Sequence, residues 1–431
     1  MTTLSEAVGG PRRVVGGPFG SKLTTRDYTA TGIPVIRGGN MEVNGRWIGG
    51  EYAFVSVDKV SRDLKTNLAH PGDIIVTQRG TLGQVSIVPD DSHYSRFVIS
   101  QSQMAISVDH ARINRDYLYY YLRSPVFAEY SHTQTIQTGV PHINLGILRD
   151  APLEMRPLPE QRSIARVLGA LDDKIELNRR MSATLEEMAW ALYRSWFVDF
   201  DPVHARALGH PPAHMDATTA ALFPDSFGPD SLPKGWEMWS VNDVFEVVMG
   251  QSPPGNTYND DGDGLPFFQG RTDFGFRYPE NRKFCSAPSR IAEPESVLLS
   301  VRAPVGDLNR AWERCCIGRG VASLSEKAGR TSFGYYAMWS LKAELLSYDS
   351  EGTVFGAINK KQLLGLSCVA VPEALRDCFE EIVAPIDSRI RNLTDQSRTL
   401  AALRDALLPR LMSGELRIRE AQKQVEEAVS A

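Results

Sequence analysis

The sequence predicts an α+β protein built from two mixed α/β domains in tandem repeat, separated by two long antiparallel coiled-coil helices. Three observations support this prediction. The chain repeats itself, each copy contains short strand-like runs between Gly and Pro, and each copy is followed by a stretch of helical periodicity. The offset between the copies is roughly 215 to 230 residues, which is too long for a solenoid repeat and suits two domains.

The repeat is carried by four pairs of segments that keep their order along the chain. We place the first copy at residues 1–157 and the second at residues 233–372. The paired segments are 33–38 with 265–270, 71–83 with 294–306, 143–144 with 358–359, and 158–160 with 371–373. A protein built from two similar domains is expected to recognise two similar ligands.

Composition narrows the class of protein. Apolar residues make up 42% of the 431-residue chain and charged residues 23%, as in globular proteins with a buried core. No apolar run is long enough to span a membrane, and we expect a cytoplasmic location. The five cysteines are odd in number and lack a Cys-x-x-Cys spacing, so we expect neither a disulfide framework nor a metal site.

Charge permits nucleic-acid binding without predicting it. The net charge is −5, but the first copy has 16 basic against 14 acidic residues and the second has 15 against 16. The acidic excess therefore lies mainly in the connecting segments, and both copies are close to neutral.

Each copy is expected to mix strands and helices. Runs of strand length and β-branched content occur at 73–77, 85–88 and 296–301. A helix is expected at 116–130 in the first copy and at 333–348 in the second.

After each copy the hydrophobic period becomes helical, which predicts spacer helices at 158–200 and 373–416. Apolar residues follow alternating steps of four and three around a central polar layer, the pattern of a coiled-coil seam. The seam residues are Ile164, Leu168, Leu171, Ile175, Leu185 and Leu192 in the first helix and Val383, Ile386, Ile390, Leu393, Leu400 and Leu407 in the second. Pro385 is expected to bend or break the second helix. The alternative is that each helix packs only on its own domain.

Two further segments complete the expected organisation. Residues 201–232 form a proline-rich connector between the first helix and the second copy, and residues 417–431 form a charged, partly helical tail.

Motifs of catalysis are missing from the sequence. We find no phosphate-binding Gly-x-x-x-x-Gly-Lys-Ser/Thr loop, no Gly-x-Gly-x-x-Gly and no His-Glu-x-x-His. The Pro253-Pro254 dipeptide lacks the residues of an amino-methyltransferase box and is expected to form a turn. We therefore expect no catalytic residues, and a protein of recognition or assembly.

Several longer segments resemble a known family. They are 158–165 (LPEQRSIA), 171–179 (LDDKIELNR), 195–202 (SWFVDFDP), 221–227 (ALFPDSF), 233–237 (PKGWE) and 407–416 (LLPRLMSGEL). In this order and over nearly the whole chain, they resemble the specificity subunit of type I restriction-modification systems. The Pro-x-Gly-Trp opening expected of the first copy is absent, which leaves the edge of the first domain open.

The resemblance implies a function. It implies two target-recognition domains, each of which reads one half of a bipartite sequence in double-stranded DNA, with a gap set by the helices. It implies two methyltransferase subunits bound to the helices and a restriction/translocase subunit joining them. Catalysis, S-adenosylmethionine, ATP and Mg²⁺ would belong to those partners, and this chain would bind no cofactor.

Arginine and glutamine on loops next to Gly are the residue types that reach the edges of guanine and adenine. The candidates for DNA contact are Arg37, Gln78, Arg79, Gln84, Gln101 and Gln103 in the first copy, and Gln269, Arg271, Arg302, Arg310 and Arg319 in the second. Arg79 and Arg302 share a repeat position, which favours a role common to both copies. Arg37 and Gln269 differ at one repeat position and are better candidates for specificity.

Two other functions stay open. One is a DNA methyltransferase or nuclease in its own right, which would need a cofactor motif that the sequence does not show. The other is an assembly scaffold without a role in DNA binding. Because the net charge is negative, we expect the chain alone to bind DNA weakly.

Overall fold

The first copy folds into strands that form three sheets in the part of the chain described here. The computed structural model describes residues 2–41, 45–80, 82–135, 142–349 and 356–430. The strands of the first copy are β1 Thr2–Thr3, β2 Val14–Gly16, β3 Tyr28–Thr29, β4 Ile33–Ile36, β5 Ala53–Val55, β6 Leu68–Ala69, β7 Ile74–Thr77, β8 Val85–Ile87, β9 Phe97–Ile99, β10 Gln103–Ile106 and β11 Pro152–Leu153. Their sheet orders are β1-β11, β2-β10-β7-β8 and β3-β5-β4-β9-β6.

The first copy also contains five α-helices among its described residues. They are α1 Leu4–Ala7, α2 Val57–Asp63, α3 Arg115–Arg123, α4 Pro125–Gln134 and α5 Leu145–Arg149. The single helix expected at 116–130 is wrong, because the chain there forms α3 and α4. Pro125 has no N–H to continue α3, and the Ser124 hydroxyl accepts a hydrogen bond from the Phe127 N–H to begin α4 (3.4 Å).

A long helix and two short ones follow the first copy. They are α6 Leu158–Phe197, α7 Asp201–Ala207 and α8 Ala217–Ala221. The helix α6 therefore ends slightly before residue 200, the bound expected from the sequence. Phe200 then adopts a left-handed backbone conformation (φ 53°) before α7 begins.

The second copy repeats the sheets of the first strand for strand. Its strands are β12 Met238–Ser240, β13 Phe245–Met249, β14 Tyr258–Asn259, β15 Leu265–Phe268, β16 Phe284–Cys285, β17 Ile291–Ala292, β18 Val297–Ser300, β19 Leu308–Arg310, β20 Cys315–Ile317, β21 Val321–Glu326 and β22 Ser367–Val369. The sheet orders are β12-β22, β13-β21-β18-β19 and β14-β16-β15-β20-β17. The parallel pair β4/β9 also recurs, as β15/β20. The two mixed α/β domains predicted from the repeat are thus confirmed.

The helices of the second copy are α9 Val241–Val244, α10 Thr331–Ser340, α11 Lys342–Ser347 and α12 Lys360–Leu364. They match α1, α3, α4 and α5 in order. The helix α2 has no counterpart, because β16 and β17 are joined by a short segment. The helix expected at 333–348 is again two helices, α10 and α11.

The repeat extends to single glycines. Gly17 lies just after β2, and a Cβ built on it would meet the Ser100 carbonyl oxygen at 1.9 Å. Gly250 lies just after β13, and its Cβ would meet the Gly318 oxygen at 2.1 Å. Both positions require glycine because two backbones pass within contact distance there.

The chain ends with the helices α13 Glu373–Ser413 and α14 Ile418–Ser430. The break expected at Pro385 is wrong, because α13 continues through it. Val383 and Asp387 on either side are buried, and this packing offsets the lost hydrogen bond. In the expected tail, α14 buries Ala421 and Val425 in the core of the first copy.

The chain divides into two compact units. Unit 1 comprises residues 1–180 and 393–431, and unit 2 comprises residues 181–392. Each unit therefore contains one copy together with a segment of each long helix.

In unit 1 the two helices run antiparallel, because Asp172 pairs with Arg404 whereas Asn178, further along α6, bonds Ser397, which precedes Arg404 on α13. Asn178 and Ser397 belong to the polar layer expected from the sequence. Of the expected seam residues, Ile164, Leu168, Leu171, Val383, Ile390, Leu393, Leu400 and Leu407 are buried, and Ile175, Leu185, Leu192 and Ile386 are half-buried.

Each helix segment also packs on the domain of its unit. Leu168 of α6 lies in one core cluster with Tyr120 of α3, and Phe379 of α13 lies in another with Phe333 of α10. Packing on the domain, which the sequence offered as an alternative, therefore occurs together with helix pairing.

Candidate nucleic-acid interface

In each copy three loops leave the sheets side by side, and we call this place the loop edge. In the first copy the loops follow β4 (Arg37), follow β7 (Gln78–Arg79) and join β9 to β10 (100–102). Backbone hydrogen bonds hold them together: the Ser100 N–H donates to the Ile36 oxygen (3.0 Å) and the Gln78 N–H donates to the Ser102 oxygen (2.8 Å).

The loop edge of the second copy has the same backbone hydrogen bonds. The Gly318 N–H donates to the Phe268 oxygen (2.9 Å), and the Val301 N–H donates to the Gly320 oxygen (2.9 Å). This pattern makes Ser102 equivalent to Gly320 and Gln78 equivalent to Val301. The residues that adjoin these positions in each loop of the first copy then align one to one with those of the second copy.

Three matched pairs of exposed side chains result. They are Arg37 with Gln269, Arg79 with Arg302, and Gln101 with Arg319. The first and third pairs differ between the copies, and the second pair is the same. The sequence repeat revealed the first two pairs, whereas the third depends on the backbone bonds between loops.

The first loop edge borders a cleft of about 570 Å³. Five of the six candidates in this copy line it: Arg37, Arg79, Gln84, Gln101 and Gln103. None of the described residues that line this cleft is acidic. Arg37 and Arg79 therefore bring positive charge to one space, which suits an anionic ligand.

The glutamines of the first copy differ in how far their side-chain amides are available. Gln78 does not line the cleft; it is buried, and its Nε2 donates to the Gln101 carbonyl oxygen and holds the loop. Gln84 donates to the Met41 oxygen (3.0 Å) and accepts from Thr77. Gln103 is fully buried and accepts from the Ser100 hydroxyl, but its Nε2 has no described partner.

In the second copy Arg310 was placed wrongly among the candidates. Its side chain is 1% exposed and pairs with Asp387 (2.7 Å) and Glu295 (3.0 Å). It lies on β19, whose equivalent β8 carries Ile87 at this position, so the arginine replaces an apolar core residue. Arg271 is exposed and pairs with Asp307 (2.7 Å).

A second pair of matched arginines, Arg46 and Arg277, is not evident in the sequence repeat. The Ile87 N–H donates to the Arg46 oxygen and the Arg310 N–H donates to the Arg277 oxygen, both at 2.8 Å, so Arg46 and Arg277 are equivalent. Each guanidinium reaches a long helix: Arg46 pairs with Asp173 of α6, and Arg277 with Glu186 of α6 and Asp387 of α13.

The two arginines connect the loop edge to the helices, because each lies in the segment that follows the first loop. Loops of different length hide this match in the sequence. The available signal is that an aromatic residue follows each arginine, Trp47 in one copy and Tyr278 in the other.

Buried ionisable groups at this connection have shifted pKa values. Burial raises the pKa of the Glu186 carboxyl, against the attraction of Arg277. The pKa of Asp116 is lowered despite burial, which acts in the opposite direction, because Arg46 and Arg115 lie beside it. Each shift arises from the burial and ion pairs that join the domain to the helices.

The chain is similar to several known proteins. Residues 20–187 match the family model described as the type I restriction modification DNA specificity domain. The putative type I restriction enzyme MjaX specificity subunit of Methanocaldococcus jannaschii is 27% identical over 284 residues, which cover 64% of this chain and 62% of that subunit. The type I restriction enzyme HindI specificity subunit of Haemophilus influenzae is 24% identical, over 80% of this chain and 86% of its own length.

The chain is a relative of the type I restriction-modification specificity subunits. The resemblance carried by the sequence motifs is thereby confirmed. A solved structure, that of the HsdS subunit from Thermoanaerobacter tengcongensis, is 26% identical and matches 89% of this chain and 91% of its own, with a TM-score of 0.32. The family model ends within α6, so the link of the second copy to this specificity subunit family comes from the repeat and the longer relatives.

Among the described residues, no helix is long and apolar enough to cross a membrane. No group of three His, Cys, Asp or Glu side chains in the described part of the chain is placed to hold a metal ion.

Proposed function

We propose that this chain is the DNA sequence-specificity subunit of a type I restriction-modification complex. Each copy reads one half of a bipartite target, and the long helices fix the gap between the halves. The observation that carries the proposal is the duplicated loop edge, where the same backbone bonds present three matched side chains and two of the three pairs differ. A duplicated frame with different exposed residues is what two different half-sites require.

Each pair has its own role in this proposal. Arg79 and Arg302 make the contact common to both halves, with a phosphate or with the same base. Arg37 in the first copy, and Gln269 and Arg319 in the second, read bases. Gln101, whose Nε2 donates to the Gly20 and Leu23 oxygens, offers its Oε1 to a base. Arginine matches the O6 and N7 acceptors of guanine, and glutamine matches the N6 and N7 groups of adenine, each pair contributing about 1 to 3 kcal/mol of discrimination.

The subunit has no catalytic step of its own in this proposal. Two methyltransferase subunits bind the helices and carry S-adenosylmethionine, and a restriction/translocase subunit supplies the ATP- and Mg²⁺-dependent steps. In unit 2, α6 exposes Met181 and Met188 and α13 exposes Ile382, with exposed fractions of 36, 57 and 45%. Exposed apolar side chains on helices support the idea of a protein partner there.

The test is to map methylated sites in DNA from cells that carry this subunit with its methyltransferase. We expect one bipartite motif with a gap of fixed length. A continuous motif, or a motif that stays the same when the subunit is removed, would contradict the proposed function. Binding of S-adenosylmethionine by the purified chain would instead support a methyltransferase in its own right.

A further inference from the structure

A second cleft lies in unit 1, beside the loop edge. It has a volume of about 680 Å³ and is lined by the segment after β2, the segment after α2, and α5. Two arginines, two lysines and one histidine line it: Arg12, Arg149, Lys22, Lys65 and His70. No carboxylate lines it in the described part of the chain. We call it the basic groove.

Three exposed cations of the groove lack a carboxylate partner among the described residues, whereas His70 lies beside Asp73. Arg12, Lys22 and Lys65 are exposed and make no ion pair with any described carboxylate. Arg149 differs, since its Nη2 donates to the Val14 oxygen (2.7 Å) and helps to build the wall. These like charges repel one another, do not stabilise the fold through ion pairs, and favour a polyanionic ligand.

The groove also holds an exposed aromatic ring. Phe19 is 74% exposed and lies on the same wall as Lys22. An exposed aromatic ring beside a lysine suits a nucleic-acid backbone, because the ring packs against a sugar while the lysine contacts a phosphate.

Backbone and side-chain bonds fix this wall to the loop edge. The Gln101 Nε2 donates to the Gly20 oxygen (2.7 Å) and to the Leu23 oxygen (3.2 Å), on either side of Lys22. The Gly17 N–H donates to the Gln103 oxygen (3.0 Å). A duplex whose base edges meet Gln101 therefore brings the phosphates that border those bases next to Phe19 and Lys22.

The opposite wall is absent from the second copy. Lys65 follows α2, which lies between β5 and β6, whereas β16 and β17 are joined by residues 286–290 without a helix. The basic groove is thus a feature of the first copy, although the loop edge occurs in both.

We infer that the basic groove binds the sugar–phosphate backbone of the duplex next to the half-site read by the first copy, through Arg12, Lys22 and Lys65. The second copy contributes fewer phosphate contacts, and the first copy anchors the complex on DNA. This inference rests on the proposed function, because it takes the ligand of the loop edge to be double-stranded DNA.

The experiment measures binding of a fluorescent duplex that carries the mapped target by the complex of this chain with its methyltransferase subunits. Affinity is followed from about 50 to 200 mM salt for the wild type and for the Lys22→Ala/Lys65→Ala variant. Each phosphate contact contributes about 0.9 to the slope of log affinity against log salt. We expect the variant slope to be shallower by about 2, with the same preferred sequence.

A matched control variant loses the same number of positive charges as the Lys22→Ala/Lys65→Ala variant. Lys234→Ala/Lys423→Ala removes two exposed lysines, one at the start of the second copy and one on α14, and its slope should equal that of the wild type. Phe19→Ala should lower affinity by a similar factor at every salt concentration, since an apolar contact releases no counterion.

The outcomes separate the two proposals. If the wild-type complex shows no preference for its target, the proposed function fails. If that preference is present but the lysine variant has the slope of the control, or Phe19→Ala leaves affinity unchanged, the groove does not hold the duplex and the inference is overturned.

Discussion

The two units hold the long helices with different arrangements of charge. In unit 1 the charges on the helices balance each other, because Asp172 of α6 pairs with Arg404 of α13 at 2.7 Å. Tyr120 of the domain adds a hydrogen bond to Asp172 (2.6 Å). The helix pair of unit 1 therefore needs no cation from the domain at this site.

In unit 2 each long helix contributes one carboxylate to the same buried cluster around Arg277. Glu186 of α6 and Asp387 of α13 both bond Arg277, at 2.9 and 2.5 Å, and Asp387 also bonds Arg310. All four side chains are at least nine-tenths buried. Both cations come from the domain, so without the domain the helices would place two like charges together.

The two units share one aspartate and one arginine of this arrangement. Asp172 and Asp387 occupy the same position in the matching segments 171–175 and 386–390, and Arg46 and Arg277 are equivalent arginines. The other cation beside this aspartate differs: it is Arg404 of helix α13 in unit 1 and Arg310 of the domain in unit 2. We therefore expect helix pairing in unit 2 to depend on its domain far more than in unit 1.

The largest expected effect comes from removing the central cation of unit 2. Arg277→Met leaves Glu186 and Asp387 buried with one cation between them, and should destabilise unit 2 by about 3 to 5 kcal/mol. Hydrogen exchange of the backbone amides at 181–197 and 373–392 measures this locally. The matched variant Arg404→Met should cost unit 1 only about 2 kcal/mol, because Tyr120 still donates to Asp172.

A second substitution separates charge from packing. Adding Glu186→Gln to Arg277→Met removes one of the two carboxylates while keeping its shape, and should restore more than half of the lost protection. Equal losses in Arg277→Met and Arg404→Met, or no restoration by Glu186→Gln, would show that the two arrangements are equivalent after all.

A smaller effect is expected from pH, with opposite sign for two buried carboxyls, Glu186 of unit 2 and Asp116 of unit 1. Burial raises the pKa of Glu186 above its ordinary 4.5, so the folded state holds this proton more tightly than the unfolded chain. Unit 2 should therefore lose stability as pH rises from 4.5 through the raised pKa. The pKa of Asp116 is lowered below its ordinary 3.8, so unit 1 should lose stability as pH falls through that lowered pKa.

Local hydrogen exchange as a function of pH checks both signs. Glu186→Gln should weaken the pH dependence above 4.5 at 181–197 in unit 2 and leave unit 1 unchanged. A dependence that persists unweakened in this variant would assign the titration to another group.

The sequence reveals what both copies share at fixed spacing. Arg79 and Arg302 align without a gap, and the seam of the helices follows from its period. The sequence could not reveal pairs that depend on bonds between loops, such as Gln101 with Arg319, nor Arg46 with Arg277, because the segments between them differ in length. It also could not separate buried from exposed arginines: Arg310 lies on a strand whose equivalent in the first copy is apolar.

The central claim is that three matched side chains on each loop edge determine one half of the target. The most direct measurement maps methylated sites for the Arg37→Gln/Gln101→Arg variant, in which the first edge carries the same three residues as the second. Arg62→Gln, an exposed arginine of α2 paired with Asp63, serves as the control. We predict that one half of the motif changes while the other half and the gap stay the same. An unchanged motif, or a change in both halves, would contradict the claim.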